Sequence, residues 1–256
     1  MKQFIYSLFF LLHSLVLAQP PAKQSNAVNT NAEVKAKEVN TRDDVYERTN
    51  MQQNSLEDFN LLYNKSNASS TQKNPTYVNQ QLMNEFINQN FSESDFEYNI
   101  STFMAGNYDL SKLHYLDKAK AMQPTNQQVL IQSVGVGFIQ NDSKTLKSDL
   151  KILKNQKFIK DDDLSYAKDV LSSLPQKANL ITHGITDTYP LLYLQEIENF
   201  RSDVQLLPLV YFQSEVYKTN VQKNSLSVPT TKLINPQFLR EFCKNNNFYL
   251  SLTIPV

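Results

Sequence analysis

The sequence predicts an α + α/β fold, with a short array of helical hairpins over residues 76–174 and a small three-stranded parallel α/β unit over 175–256. Three observations predict it. From about Tyr77 to Leu174 the apolar residues recur at helical spacing. After Pro175 the pattern changes to short apolar runs that alternate with helical segments, which implies crossovers and a parallel sheet. Ahead of both, residues 19–75 are rich in Asn, Gln, Ser, Thr and Lys and hold few large apolar side chains.

The elements follow in order. Residues 1–18 carry Lys2, then an apolar run from Phe4 to Leu17, then Ala18. This is the layout of a secretory signal peptide cut after Ala18. The alternative is a retained anchor, but the run is shorter than the about 20 residues of a comfortable span. Residues 19–75 read as a disordered tether, since such a composition buries too little surface to offset its ordering entropy. Within it, Met51, Leu56, Phe59, Leu62 and Tyr63 outline a marginal amphipathic helix or docking segment.

Val78, Leu82, Phe86 and Ile87 share one helical face. Ser92 and Asp95 give a capping signal before a helix through Phe96, Ile100, Phe103 and Met104. Residues 126–142 and 143–156 form a second hairpin with its turn at Asn141-Asp142. Asp161, Asp162 and Asp163 open a further helix, where acids suit the dipole. Three adjacent carboxylates do not converge on a cation, so they read as a cap and solvated face, not a metal site.

Beyond Pro175, residues 178–183, 203–212 and 248–255 read as strands, with helices over 187–200 and 234–246 and a short one near 213–220. The middle helix carries Tyr189, Leu191, Leu192, Tyr193, Leu194, Ile197 and Phe200, so it is apolar on most sides and predicts burial against both the sheet and the preceding helices.

His183, Gly184, Thr186, Asp187 and Thr188 fall at the carboxyl end of the first strand, the edge at which open α/β sheets place ligands. The helix that follows offers unpaired N–H groups to an anion. His183, Gly184, Asp187 and Thr188 are therefore ligand-binding candidates. A structural reading stands beside this one: Asp187 or Thr188 as N-cap, Pro190 in the first turn and Gly184 at positive φ account for every residue except His183.

Composition and missing motifs weigh against several classes. Lys plus Arg, at 25, equals Asp plus Glu, at 25, so no net field draws the chain to nucleic acid. The single Cys243 closes no intrachain disulfide and sits among Phe238, Leu239 and Phe242 as a buried thiol. No Gly-x-Ser-x-Gly elbow, Walker loop or His-Glu-x-x-His motif occurs. We assign no catalytic residue, metal or cofactor from the sequence.

Two resemblances add to this reading. Gly106, Tyr108, Ala119 and Pro124 resemble the second half of a tetratricopeptide repeat, where a small residue and an aromatic open helix B, an Ala permits close packing and a Pro ends the unit. The likeness spans about residues 92–173 and implies a groove for a protein or peptide partner, with Tyr108 and Tyr115 as partner-binding candidates and a packing role as the equal alternative for both. Residues 174–209 resemble a soluble module of Bacteroidota membrane proteins related to O-mannosyltransferases. They carry the run Gly184, Asp187, Thr188, Tyr189, Pro190, Leu191, Tyr193, Leu194, Gln195 and Glu196, then Arg201, Asp203 and Val204. Ile185-Thr186 and Leu192 depart from the pattern, and the loss of an acid at that turn sets any metal or sugar role apart from this chain. The resemblance implies an exported, periplasmic or cell-envelope protein without the transferase's catalytic portion.

Overall fold

Residues 127–140 contain Val129, Leu130, Ile131, Val134, Val136 and Ile139, apolar on every side, and a helix with no polar face has to be surrounded. It is. The structure, a computed structural model, describes residues 56–69, 76–230, 234–244 and 246–251. The signal segment and the tether outside 56–69 lie beyond the described residues.

The helices are α1 (Leu56–Ser69), α2 (Thr76–Asn90), α3 (Phe96–Ala105), α4 (Leu113–Met122), α5 (Gln127–Gln140), α6 (Ser143–Asn155) and α7 (Asp161–Ser173). Then come β1 (Asn179–Thr182), α8 (Ile185–Glu196), β2 (Gln205–Pro208), α9 (Glu215–Lys223), α10 (Pro236–Lys244) and β3 (Tyr249–Leu250). The α + α/β class expected from the sequence is the one found.

Helix α1 lies inside the stretch read as tether, and the difference has a simple cause. Phe59 is fully buried, and its ring centroid lies 6.4 Å from that of Phe86 in α2. A short helix that is marginal alone becomes stable when its few apolar residues find a partner.

The hairpin ends are fixed by short polar side chains. Asn126 Oδ1 accepts from the N–H groups of Gln128 and Val129 at the start of α5, and Asp142 caps α6 through Lys144 and Thr145. Between them Asn141 takes φ 57°, a left-handed C-cap, so the turn falls at the predicted Asn141-Asp142. The Ser92/Asp95 signal works only in one direction. The Ser92 N–H donates to Asp95 Oδ2 at 2.9 Å, and Asp95 makes no side-chain cap to α3.

The sheet is parallel in the order β2-β1-β3, with Leu180 opposite Leu206 and Ile181 opposite Leu207. Successive strand residues point to opposite faces. Leu180 and Leu206 enter one apolar core with Leu146, Leu150, Ala167, Leu171, Tyr189 and Leu192. Ile181 and Leu207 enter another with Phe103, Tyr211, Phe212, Phe238 and Phe242. Both faces are thus covered, as a parallel sheet requires.

Helix α5 borders both cores: Leu130, Ile131 and Val134 face the first, Val129, Val136 and Ile139 the second. Ten of its fourteen residues are buried, which makes it the central wall of the molecule. The described residues accordingly belong to one compact unit.

Prolines mark the boundary of one element and the interior of another. β2 stops at Pro208, which has no N–H to continue a ladder, and residues 209–213 coil into a 3₁₀ turn. Helix α8 starts at Ile185, so Pro190 sits in its second turn instead of the first, and the exposed Thr186 loses a helical partner for its carbonyl.

Candidate functional site

The ligand candidates sit where the sequence placed them, at the carboxyl end of β1, and three of the four are locked into the fold. Gly184 takes φ 78° with open space where a Cβ would stand, and it is the N-cap of α8 in place of Asp187 or Thr188. Asp187 falls in the first turn of α8. Its Oδ2 accepts the His183 N–H at 2.9 Å, and its Oδ1 accepts the Ser251 hydroxyl at 2.8 Å. Thr188 is buried, its hydroxyl 2.8 Å from that of Thr182 and 2.7 Å from the Gly184 carbonyl.

The carboxylate therefore joins the end of β1 to the residue after β3, and the threonine pair pins α8 to β1. His183 is different. Its ring is exposed and has no hydrogen-bond partner among the described residues. Among these residues there is also no group of three His, Cys, Asp or Glu side chains placed to hold a metal ion.

The remaining motif residues make the corner between α7 and α8. Arg201 takes φ 50° and aims its guanidinium at the end of α7. Nη1 donates to the carbonyls of Leu171 and Leu174 at 2.6 and 2.9 Å, Nη2 to Pro175 at 2.8 Å. Nε donates to Asp203 Oδ1 at 2.7 Å, and Asp203 Oδ2 accepts the Lys177 N–H at 2.8 Å. Gln195 Nε2 closes the loop by donating to the carbonyls of Arg201 and Val204. One planar cation thus gathers the carbonyls that end α7, of which Leu171's also accepts the Leu174 N–H.

The Arg201 guanidinium, helped by the Lys177 N–H, holds the Asp203 carboxyl far below the ordinary carboxylate range. A folded-state value below the unfolded one gives stability that is present above the unfolded value of about 4 and fades as pH falls below it. The melting-temperature gap between the native chain and Asp203→Asn is expected to be widest near about pH 7 and to narrow below about pH 4. Thermal melts followed by circular dichroism across that range check it; a gap that widens in acid contradicts it.

The two tyrosine candidates separate. Tyr108 is 2% exposed, so the surface role read from the sequence is corrected to one in the core. It lies in the turn before α4 at φ 60°, not inside a helix. Its ring packs edge-on to Tyr211 at 5.0 Å and against Gly135, where a Cβ would stand 2.4 Å from Cε1. Tyr115 stays half-exposed on α4, near Tyr98 at 6.2 Å and His114 at 4.0 Å, with Lys118 Nζ 5.9 Å from its ring centre.

The sequence reading also missed a buried tyrosine cluster. The Tyr189 hydroxyl donates to the Ile131 carbonyl of α5 at 2.5 Å, and the Tyr211 hydroxyl donates to Tyr189 at 3.4 Å. Burial, with the neighbouring Tyr211 hydroxyl, pushes Tyr189 well above its ordinary value; burial does the same to Tyr108 and Tyr211.

The geometry defines a helical protein with a small parallel α/β module, whose first polar turn is engaged through Asp187 and Thr188. Residues 163–235 match the family model described as TMEM260-associated domain 2. That region runs from the first turn of α7 through β1, α8, β2 and α9 and stops before α10 and β3. It contains the segment whose resemblance to a module of membrane proteins was noted above. No curated protein and no solved structure matches the chain. Among the described residues no helix is long and apolar enough to cross a membrane.

Proposed function

We propose that this chain is an exported, non-enzymatic protein-interaction module, a tetratricopeptide-repeat-like scaffold of the bacterial cell envelope. One observation carries the non-enzymatic part. The polar groups at the ligand edge of the sheet, Asp187 and Thr188, are already engaged with His183, Ser251, Thr182 and Gly184. They hold strands and a helix together, so this carboxylate and this hydroxyl serve the fold. The hairpins of α3/α4 and α5/α6 support a repeat-like reading, with the half-exposed Tyr115 on the surface offered to a protein or peptide. Export is read from Lys2, the apolar run after it and Ala18.

The exposed His183 ring favours a second reading, a small-ligand- or glycan-binding α/β domain descended from an enzyme. One set of variants separates the two. Under the scaffold reading His183→Ala leaves both the melting temperature and partner capture from an envelope fraction unchanged. Asp187→Ala lowers the melting temperature, and Tyr115→Ala removes capture without a thermal shift. Loss of a glycan or small-molecule ligand in His183→Ala, at unchanged melting temperature, would establish the second reading instead.

A further inference from the structure

Helix α6 presents a cationic face that the fold uses only in part. Its sequence, SKTLKSDLKILKN, places Lys144, Lys147, Lys151 and Lys154 at steps of three, four and three residues, one line along the helix. At 1.5 Å rise per residue the line is about 15 Å long. The exposed side contains Lys144, Lys147 and Lys151 with Ser148 and Asn155, Lys154 is half-buried at its far end and the exposed Asp142 caps its start beside Lys144, while Leu146, Asp149, Leu150 and Leu153 face inward. The one carboxylate of the helix, Asp149, is turned into the protein and held by Lys120 at 2.7 Å. Lys157 and Lys160 extend the run, so residues 144–160 hold six of the 25 basic residues of a chain with as many acidic ones.

Neighbouring acids neutralise only part of it. Glu196 of α8 lies 4.0 Å from Lys147, and Asp161 at the start of α7 pairs with Lys154. Asp162 and Asp163 follow Asp161 and dilute the field at the Lys160 end. Lys144, Lys151, Lys157 and Lys160 form no ion pair with any described residue.

We propose that the α6 face docks the protein on an anionic phospholipid bilayer. The chemistry of the face favours a bilayer over the other polyanions. Lysine is depleted in protein interfaces, whose binding energy concentrates in Trp, Tyr and Arg, and the exposed stripe contains none of these. A single-stranded nucleic acid is held by stacking on aromatic rings, also missing from the stripe. A line of flexible ammonium groups on a convex helix, with its apolar side committed to the core, matches a flat, diffuse negative surface. The inference stands independently of the scaffold reading.

The test is co-sedimentation of the full chain with large vesicles of phosphatidylcholine containing about 30 mol % phosphatidylglycerol. Each lysine near such a surface is worth roughly a fivefold change in partitioning. Lys144→Gln/Lys151→Gln is then expected to partition about 25-fold more weakly, while the control Lys223→Gln/Lys244→Gln partitions as the native chain does. Raising salt from about 0.1 M to about 0.5 M releases the protein from the vesicles. Four results overturn the proposal. They are no binding to the anionic vesicles, equal binding to pure phosphatidylcholine, equal weakening in the control variant, or capture by duplex DNA or polyglutamate but not by vesicles. Matching melting temperatures among the variants show that any loss is not unfolding.

Discussion

Tyr189→Ala is expected to destabilise the protein by about 4–5 kcal/mol, a large part of the total stability of a domain of this size. Three losses combine. The ring is fully buried between the sheet and the helices, where deleting an aromatic side chain alone costs about 3–5 kcal/mol. The Ile131 carbonyl loses the hydroxyl that donates to it, and the Tyr211 hydroxyl loses its acceptor. Tyr189→Phe isolates the hydrogen-bonding share, about 1–3 kcal/mol, because the ring stays. Urea unfolding of the three chains measures both steps; a Phe variant as unstable as the Ala variant would show that packing is not the main part. The raised values of Tyr108, Tyr189 and Tyr211 add an alkaline signature. Stability from these neutral hydroxyls is complete below the ordinary tyrosine value of about 10 and declines as pH rises above it. Absorbance titration should show these tyrosines ionising together with unfolding.

Lys120→Met is the second large effect, about 2–3 kcal/mol. The ammonium group reaches from α4 to Asp149 Oδ2 on α6 at 2.7 Å and to Ser133 Oγ on α5 at 2.8 Å. The Asp149 side chain is only 4% exposed, so removing its cation strands a buried carboxylate. Breaking a fully buried pair costs about 3–5 kcal/mol, and the third of Lys120 that water reaches lowers this figure. Lys120→Met/Asp149→Leu removes both charges and should recover most of the loss. If the double variant is less stable than Lys120→Met, the pair is itself a net stabiliser and the desolvation argument fails.

Local features of this fold were legible in sequence, and long-range ones were not. Asn126, Asp142 and Asn141 mark helix ends by chemistry that acts within four residues. The change of period after Pro175 announced the sheet, and the all-apolar face of α8 announced its burial on two sides. Tyr108 misled because an aromatic beside a glycine reads as a helix opening, and only the distant Gly135 shows why the ring turns inward. Tyr189 gave no hint of its acceptor, which lies 58 residues earlier. Arg201 and Asp203 read as motif letters, and their task became visible only once the end of α7 was beside them. At the candidate site the position was legible but the occupancy was not. Ser251, which takes one oxygen of Asp187, follows it by 64 residues.

Because α5 faces two cores at once, no clean cut separates the described helices from the α/β elements that follow them. A fragment ending at residue 174 would keep that helix but lose Leu180, Tyr189 and Leu192 from one side and Tyr211, Phe212 and Phe238 from the other. The complementary piece would keep those side chains with no surface to close on. Halves expressed separately should each be molten and protease-sensitive, yet mixing them should restore a protected whole, the behaviour of a molecule that melts in a single step.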